Sequence, residues 1–295
     1  MKTLFQPIRR RAVLQMLAGA SGLARGVAWA SSEDPFLAIE RRSGGQIGVA
    51  AFNVRTGAAL TYRSDERFAM CSTFKWLLGG LILQRVDRGI EDLERRLPFD
   101  SSDLVFHSPV TEAHADGRGM SVGDLCEATI KTSDNTAANI LMETLGGPSG
   151  FTQSLREMGD RVTRLDRLEP YLNENAPGDL RDTTTPMAMA NLMREILFGT
   201  RLSDGSKDML HDWMIGASTG LDRLRAGFPE GWRGGDKTGT SSNRANNDVG
   251  FALPPAGFAG DAIIIASYTN VPDPLDGAAN AVHSEIARHV IGRLS

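Results

Sequence analysis

Apolar residues at Phe74, Leu77, Leu78, Leu81 and Ile82 follow the i, i+3, i+4, i+7, i+8 spacing of a helix, and Gly89 supplies its C-terminal stop. Trp76, Gly79, Gly80 and Leu83 fill the other faces, so the pattern predicts a helix buried at the centre of the molecule. Lys75 is its only charged residue between Ser72 and Gln84. Upstream, Asp34-Pro35 reads as a cap and first turn of a helix with Phe36, Leu37 and Ile39 on one face, ended by Gly44-Gly45. IGVAAFNV (47–54) and ALTYR (59–63), joined around Thr56-Gly57, read as a β-hairpin. Helical patterns then dominate to about residue 215, through VGDLCEATIK, NTAANILMETLGG, GFTQSLREMG and TTPMAMANLMREIL. Strand patterns return in GWRGGDKTGT, NNDVGFAL and DAIIIASYTN, before a last helix carrying Val282, Ile286, Val290 and Leu294.

That order predicts an α/β fold of the α+β type. An antiparallel sheet is built from both chain ends and flanked by the N- and C-terminal helices, with an all-helical domain inserted. The expected boundaries are 31–66 together with 217–295 for the α/β domain and 67–216 for the helical one, with the functional site at their interface.

Residues 1–30 stand outside this scheme. A basic front, an apolar middle and the small-x-small end Ala28-Trp29-Ala30 make an export signal with cleavage after Ala30. Arg9-Arg10-Arg11 before Ala12, Val13 and Leu14 suits a twin-arginine signal as well as an ordinary secretory one. Gly residues and Arg25 interrupt the apolar part, which is too short for a membrane anchor. The expectation is a periplasmic protein that is free of the membrane once mature.

Composition adds exclusions. Of 295 residues 41% are hydrophobic and 23% charged, enough to bury a sizeable core. The 36 acidic residues face 32 basic ones, five of which (Lys2, Arg9, Arg10, Arg11, Arg25) lie in the leader, so the mature chain carries about −9. Nucleic acid and anionic membranes are poor partners for that balance. The five histidines show no metal-ligand spacing, and nothing local supports a Cys71–Cys126 bridge.

The candidate chemistry begins in MCSTFKW (70–76). Cys71 is the better intrinsic nucleophile, and Ser72 needs a base. Lys75 becomes one only if burial lowers its pKa. Ser72 and Lys75 form an SxxK pair on one side of a helix, with first-turn amides nearby that can hold an oxyanion. Chance supplies about one SxxK in a chain of this size, and both residues have ordinary readings as a helix start and a snorkelling side chain. Ser133-Asp134-Asn135, read alone, is a helix cap. Lys237-Thr238-Gly239, followed by Thr240 and Ser241 at a strand end, suits a carboxylate or a solvated turn. In the order SxxK, SDN, KTG, the three form the signature of class A β-lactamases and penicillin-binding proteins.

The chain resembles the class A serine β-lactamases from about Pro35 to Leu294, best in CSTFK (71–75), LVFHSPVTE (104–112), SDNTAANIL (133–141), RLDRLEPYLN (164–173), RDTTTP (181–186) and DKTGT (236–240). The resemblance implies Ser72 as nucleophile, with the backbone amides of Ser72 and Thr240 as oxyanion hole. Lys75 takes or relays the serine proton, and Ser133 protonates the leaving lactam nitrogen. Asn135 orients the substrate's amide side chain, and Lys237, Thr238 and Thr240 hold its carboxylate. Glu169 activates the water that clears the ester and Asn173 helps hold that water. An Arg167–Asp182 salt bridge pins the loop that carries them.

Two assignments are looser. Arg223 matches a position that often supplies a second cation, with Arg225 as a competing placement. His107 matches a position at the mouth of the site, with an exposed loop histidine as its plain alternative. Ser241 and Gly79 stand where relatives that bridge a cysteine like Cys71 or Cys126 carry the partner, so both thiols are expected to be free. The implied activity is hydrolysis of penicillins and early cephalosporins by a monomer without metal or organic cofactor. The alternatives are a penicillin-binding transpeptidase or carboxypeptidase, and a β-lactam sensor that stays acylated.

Overall fold

The computed structural model describes residues 34–255 and 261–295, which belong to one compact unit beginning at Asp34. The leader and its cleavage site after Ala30 lie outside the described residues. Among the described residues no helix is long and apolar enough to cross a membrane.

Five strands form one antiparallel sheet. They are β1 (Gln46–Asn53), β2 (Ala59–Tyr62), β7 (Arg233–Thr240), β8 (Asn246–Leu253) and β9 (Ile263–Asn270), in the order β2-β1-β9-β8-β7. The helices are α1 (Pro35–Ser43), α2 (Phe74–Asp87), α3 (Val122–Lys131), α4 (Asn135–Thr144), α5 (Gly147–Glu157), α6 (Pro186–Met193), α7 (Asp204–Ile215) and α8 (Gly277–Leu294). Two small ladders lie within 67–216, namely β3 (Phe68–Ala69) on β6 (Thr183–Thr184) and β4 (Arg96–Leu97) on β5 (Met120–Ser121). That segment is therefore not purely helical. Two-residue strands have no period for a sequence pattern to register.

The period-2 alternation of the strands explains the layers. Ile47, Val49 and Ala51 of β1, with Ile263 and Ile265 of β9, pack under α1 and α8 against Phe36, Ile39, Ile286 and Val290. Ala50, Phe52, Ile264, Ala266 and Tyr268 face the other way into the large core shared with the helices. With both faces buried, β1 and β9 read as nearly continuous apolar runs, whereas the edge strand β2 alternates between exposed and half-buried positions.

At the centre of that large core lies α2, buried from Phe74 to Leu83. Gly79 lets it approach α3, since a Cβ there would fall 2.6 Å from Ile130 Cδ1. Gly89 ends the turn at φ 68°. An edge strand, β7, and the start of α2 meet closely, because a Cβ on Gly239 would lie 2.5 Å from the Met70 carbonyl. This contact carries the nucleophile turn onto the KTG strand.

Candidate active site

Ser72 sits in a tight turn, Cys71–Thr73, that feeds directly into α2. Cys71 adopts φ 47°, the left-handed region that a non-glycine residue occupies at a cost of order 1–3 kcal/mol. Ser133 (φ 61°), His107 (φ 63°) and Asp182 (φ 58°) share that region. All four surround or support one cleft.

Lys75 is fully buried on α2. Its Nζ lies 3.0 Å from Glu169 Oε1 and donates to the Ser133 carbonyl (2.8 Å), Asn135 Oδ1 (2.5 Å) and Ser133 Oγ (3.3 Å). The hydroxyl of Ser72 donates to Glu169 Oε1 at 3.2 Å. One carboxylate oxygen thus touches both members of the SxxK pair. Burial lowers the pKa of Lys75 below the usual lysine range, and the Glu169 charge opposes that fall.

Glu169 comes from a long loop, 164–182, and its peptide bond to Pro170 is cis. Asn173 Nδ2 donates to Glu169 Oε2 at 2.6 Å. Asn139 of α4 clamps the Glu169 backbone from both sides, accepting from its N–H and donating to its carbonyl, each at 3.0 Å. The loop closes through Arg167 Nε to Asp182 Oδ2 at 2.6 Å, and Asp182 Oδ1 accepts from the amides of Asp166 and Arg167 at 2.7 and 3.0 Å. The Asp182 carbonyl then takes the Met70 N–H, tying the loop to the nucleophile turn.

The SDN segment does two jobs. Asp134 caps α4 by accepting from Ala137 N–H, as its residue type predicts, and also from Thr111. Ser133 is thereby presented between two lysines, with Lys237 Nζ 3.1 Å from its Oγ. Lys237 lies within β7 rather than in a turn, and it is fully buried rather than solvated. Burial and the nearby Lys75 charge push its pKa down to about 7.

Thr238 bonds Thr219 at 2.8 Å. Arg223 is buried in the cleft wall, with Nη2 2.8 Å from Thr240 Oγ1. Arg225 turns away to Asp236, 2.6 Å distant, so of the two arginines Arg223 is the one brought to the cleft. The cleft, about 550 Å³, is lined by Ser72, Ser133, Asn135, Asn173, Thr238 and Thr240, with His107, Phe106 and Leu275 at its mouth. The His107 ring lies 3.0 Å from the Thr132 carbonyl and remains exposed.

Cys71 lies beside the nucleophile but is fully buried against Ala69 and Ala245, and burial pushes its thiol pKa up. Cys126 is buried likewise, and neither forms a disulfide. Ser241 instead donates to the Asn173 carbonyl. Sequence reasoning missed Asn139 and Thr219. Asn139 stands four residues after Asn135 on the same helix face, a spacing that pointed to it. Thr219 had no such signal.

The arrangement joins a hydroxyl, two buried amines, a held carboxylate and an edge strand, which are the parts of acyl transfer followed by hydrolysis. A family model described as the beta-lactamase enzyme family matches residues 33–294. The chain is 44% identical over 259 residues to Beta-lactamase FAR-1 of Nocardia farcinica (strain IFM 10152), covering 88% of this chain and 82% of that one. It is 47% identical over 224 residues to Beta-lactamase L2 of Stenotrophomonas maltophilia, covering 76% and 74%. Among solved structures, an ancestral (GNCA) class A beta-lactamase superposes with a TM-score of 0.83 at 51% identity, over 87% of this chain and 97% of that one. With fold, motif order and overall sequence in agreement, this chain belongs to the beta-lactamase enzyme family, as a member of its class A.

Proposed function

We propose that the protein hydrolyses the β-lactam ring of penicillins and cephalosporins through an ester on Ser72, and so confers resistance to them. The observation that carries this reading is the position of Glu169. Its Oε1 reaches both Ser72 Oγ and Lys75 Nζ while Asn173 holds Oε2, so a base stands where the ester forms. An enzyme that only acylates needs no such carboxylate.

Ser72 Oγ attacks the lactam carbonyl, and its proton passes to Glu169 or Lys75. The amides of Ser72 and Thr240 hold the oxyanion. Ser133, bonded to both lysines, delivers a proton to the ring nitrogen as the C–N bond breaks. Lys237, Thr238, Thr240 and Arg223 take the substrate carboxylate, Asn135 its amide arm, and His107 shapes the entrance. Glu169, steadied by Asn173, then draws a proton from the water that cleaves the ester.

We also infer a monomer with two lobes, 31–66 with 217–295 and 67–216, meeting at the cleft. The leader sequence supports export to the periplasm. Purified protein is expected to turn over many equivalents of a penicillin in a spectrophotometric assay. A single burst equal to the enzyme concentration would instead identify a transpeptidase or a sensor.

A further inference from the structure

Behind the sheet wall of the cleft lies an ionisable cluster that this reaction does not use. Asp236 and Asp248 stand on β7 and β8, whose register pairs Asp236 with Gly250 and Thr238 with Asp248. Both side chains therefore leave the same face of the sheet as diagonal neighbours. Both are fully buried, with their carboxyl groups within hydrogen-bonding reach of each other. Among the described residues, neither oxygen of Asp236 nor Oδ1 of Asp248 receives a hydrogen bond from a donor.

Arg225 Nε forms an ion pair 2.6 Å from Asp236 Oδ1, with its N–H turned aside. Arg223, the other nearby guanidinium, directs its donors to Asn280, the Asn247 carbonyl and Thr240. One cation in contact thus faces two fully buried carboxyls, and burial together with like-charge repulsion disfavours ionising both. Gly220 closes the site, since a Cβ there would fall 1.3 Å from Asp236 Oδ2.

We propose that Asp236 and Asp248 share a single proton and form a positioning dyad that fixes the anion-binding side of the cleft. The functional half of this inference rests on the hydrolase reading above; the proton count does not. Asp248 Oδ2 accepts from the Leu224 N–H at 3.0 Å, next to Arg223, and Asp236 holds Arg225 one residue further on. Thr238 leaves the same sheet face and bonds Thr219. The dyad therefore ties the 219–227 turn to β7, and with it the cation and hydroxyls assigned to the substrate carboxylate.

The charged and titratable groups facing the dyad are Arg225 and Arg223 from the turn, Lys237 from β7 and Tyr268 from β9. Burial raises both carboxyls above the usual range, Asp248 furthest, while Arg225 opposes the rise at Asp236. Because Arg225 contacts Asp236, that carboxyl is the one held anionic, which leaves the shared proton to Asp248.

Carbon-13 spectra of the protein labelled at aspartate carboxyls are expected to show one protonated carboxyl at pH 7 that disappears in Asp248→Asn. Urea unfolding gives a second reading. The folded protein keeps a proton that the unfolded chain releases, so wild type should lose stability relative to Asp248→Asn as the pH rises from about 5 to 8. Kinetics tests the positioning role. Asp248→Asn keeps a donor toward Asp236 and is expected within about threefold of the wild-type KM for a penicillin, whereas Asp248→Ala raises KM about tenfold with kcat little changed. A spectrum in which every aspartate is ionised at pH 7, or parallel stability curves, overturns the shared proton. A loss confined to kcat in Asp248→Ala overturns the positioning role. If Asp248→Ala does not fold, Asp248→Ser carries the same KM test. Absence of β-lactam turnover in wild type would sink the hydrolase reading while leaving the spectra to judge the dyad.

Discussion

The cleft has two walls, and each buries one lysine. Lys75, on the helical wall, meets a carboxylate of the protein itself, Glu169 at 3.0 Å. Lys237, on the sheet wall, touches a hydroxyl and a carbonyl, those of Ser133 and Thr238, and has no salt bridge among the described residues. Burial lowers both pKa values, but only at Lys75 does a carboxylate in direct contact oppose the fall. The same side chain at the same burial is thus prepared for opposite work. In the proposed reaction one amine exchanges protons within a closed network, and the other holds positive potential for an anion arriving from outside.

The largest predicted effect lies on the helical wall. Ser72→Ala removes the nucleophile and should lower penicillin turnover at least about a thousandfold, with no covalent adduct in the intact mass. On the sheet wall, Lys237→Ala should lower kcat/KM about a hundredfold, through electrostatic binding of substrate and transition state. The sign of its pH dependence follows from a pKa near 7. Lys237 is cationic below that value, so affinity of the free enzyme for anionic substrates should fall as the pH rises through it. Lys237→Arg should remove that alkaline limb of kcat/KM. If the limb persists in the arginine variant, another group titrates and the contrast between the two lysines fails.

A smaller effect is expected from the loop that serves the helical wall. Arg167→Ala leaves the buried Asp182 carboxylate without its guanidinium, a change that typically costs about 3–5 kcal/mol. Deacylation should slow more than acylation, measured by stopped-flow, because Glu169 and not Ser72 rides on that loop. The smallest effect is predicted at Cys71. Its raised pKa and full burial should leave it unlabelled by iodoacetamide in the native protein, with turnover unchanged.

Much of this contrast was legible in the sequence, for reasons that differ by residue. The helix at 74–87 announced itself through periodicity, and its lack of a polar face announced the burial of Lys75. Glu169 and Asn173 carry no local signal beyond a loop, and only the whole RLDRLEPYLN stretch, read as a family resemblance, singled them out. Lys237 read as a strand-end residue with a solvated alternative. The structure makes it a buried position within an edge strand, because its environment is supplied by Ser133, far along the chain. The choice between Arg223 and Arg225 depends on which side of a short turn faces the cleft, and spacing alone does not encode that. Thr219 and Asp248 act through partners distant in sequence, so they emerged only from the tertiary contacts, whereas Asn139 had its spacing from Asn135 on one helix face to point to it.

The central claim is that the helical wall both forms the ester and clears it, with Glu169 needed for the second step. Intact-protein mass spectrometry of Glu169→Ala mixed with a penicillin tests it most directly. The expected result is near-complete conversion to a single adduct on Ser72 that persists for minutes, while wild type under the same conditions shows rapid turnover and little adduct. Rapid turnover by Glu169→Ala without accumulation of the adduct would contradict the role given to Glu169.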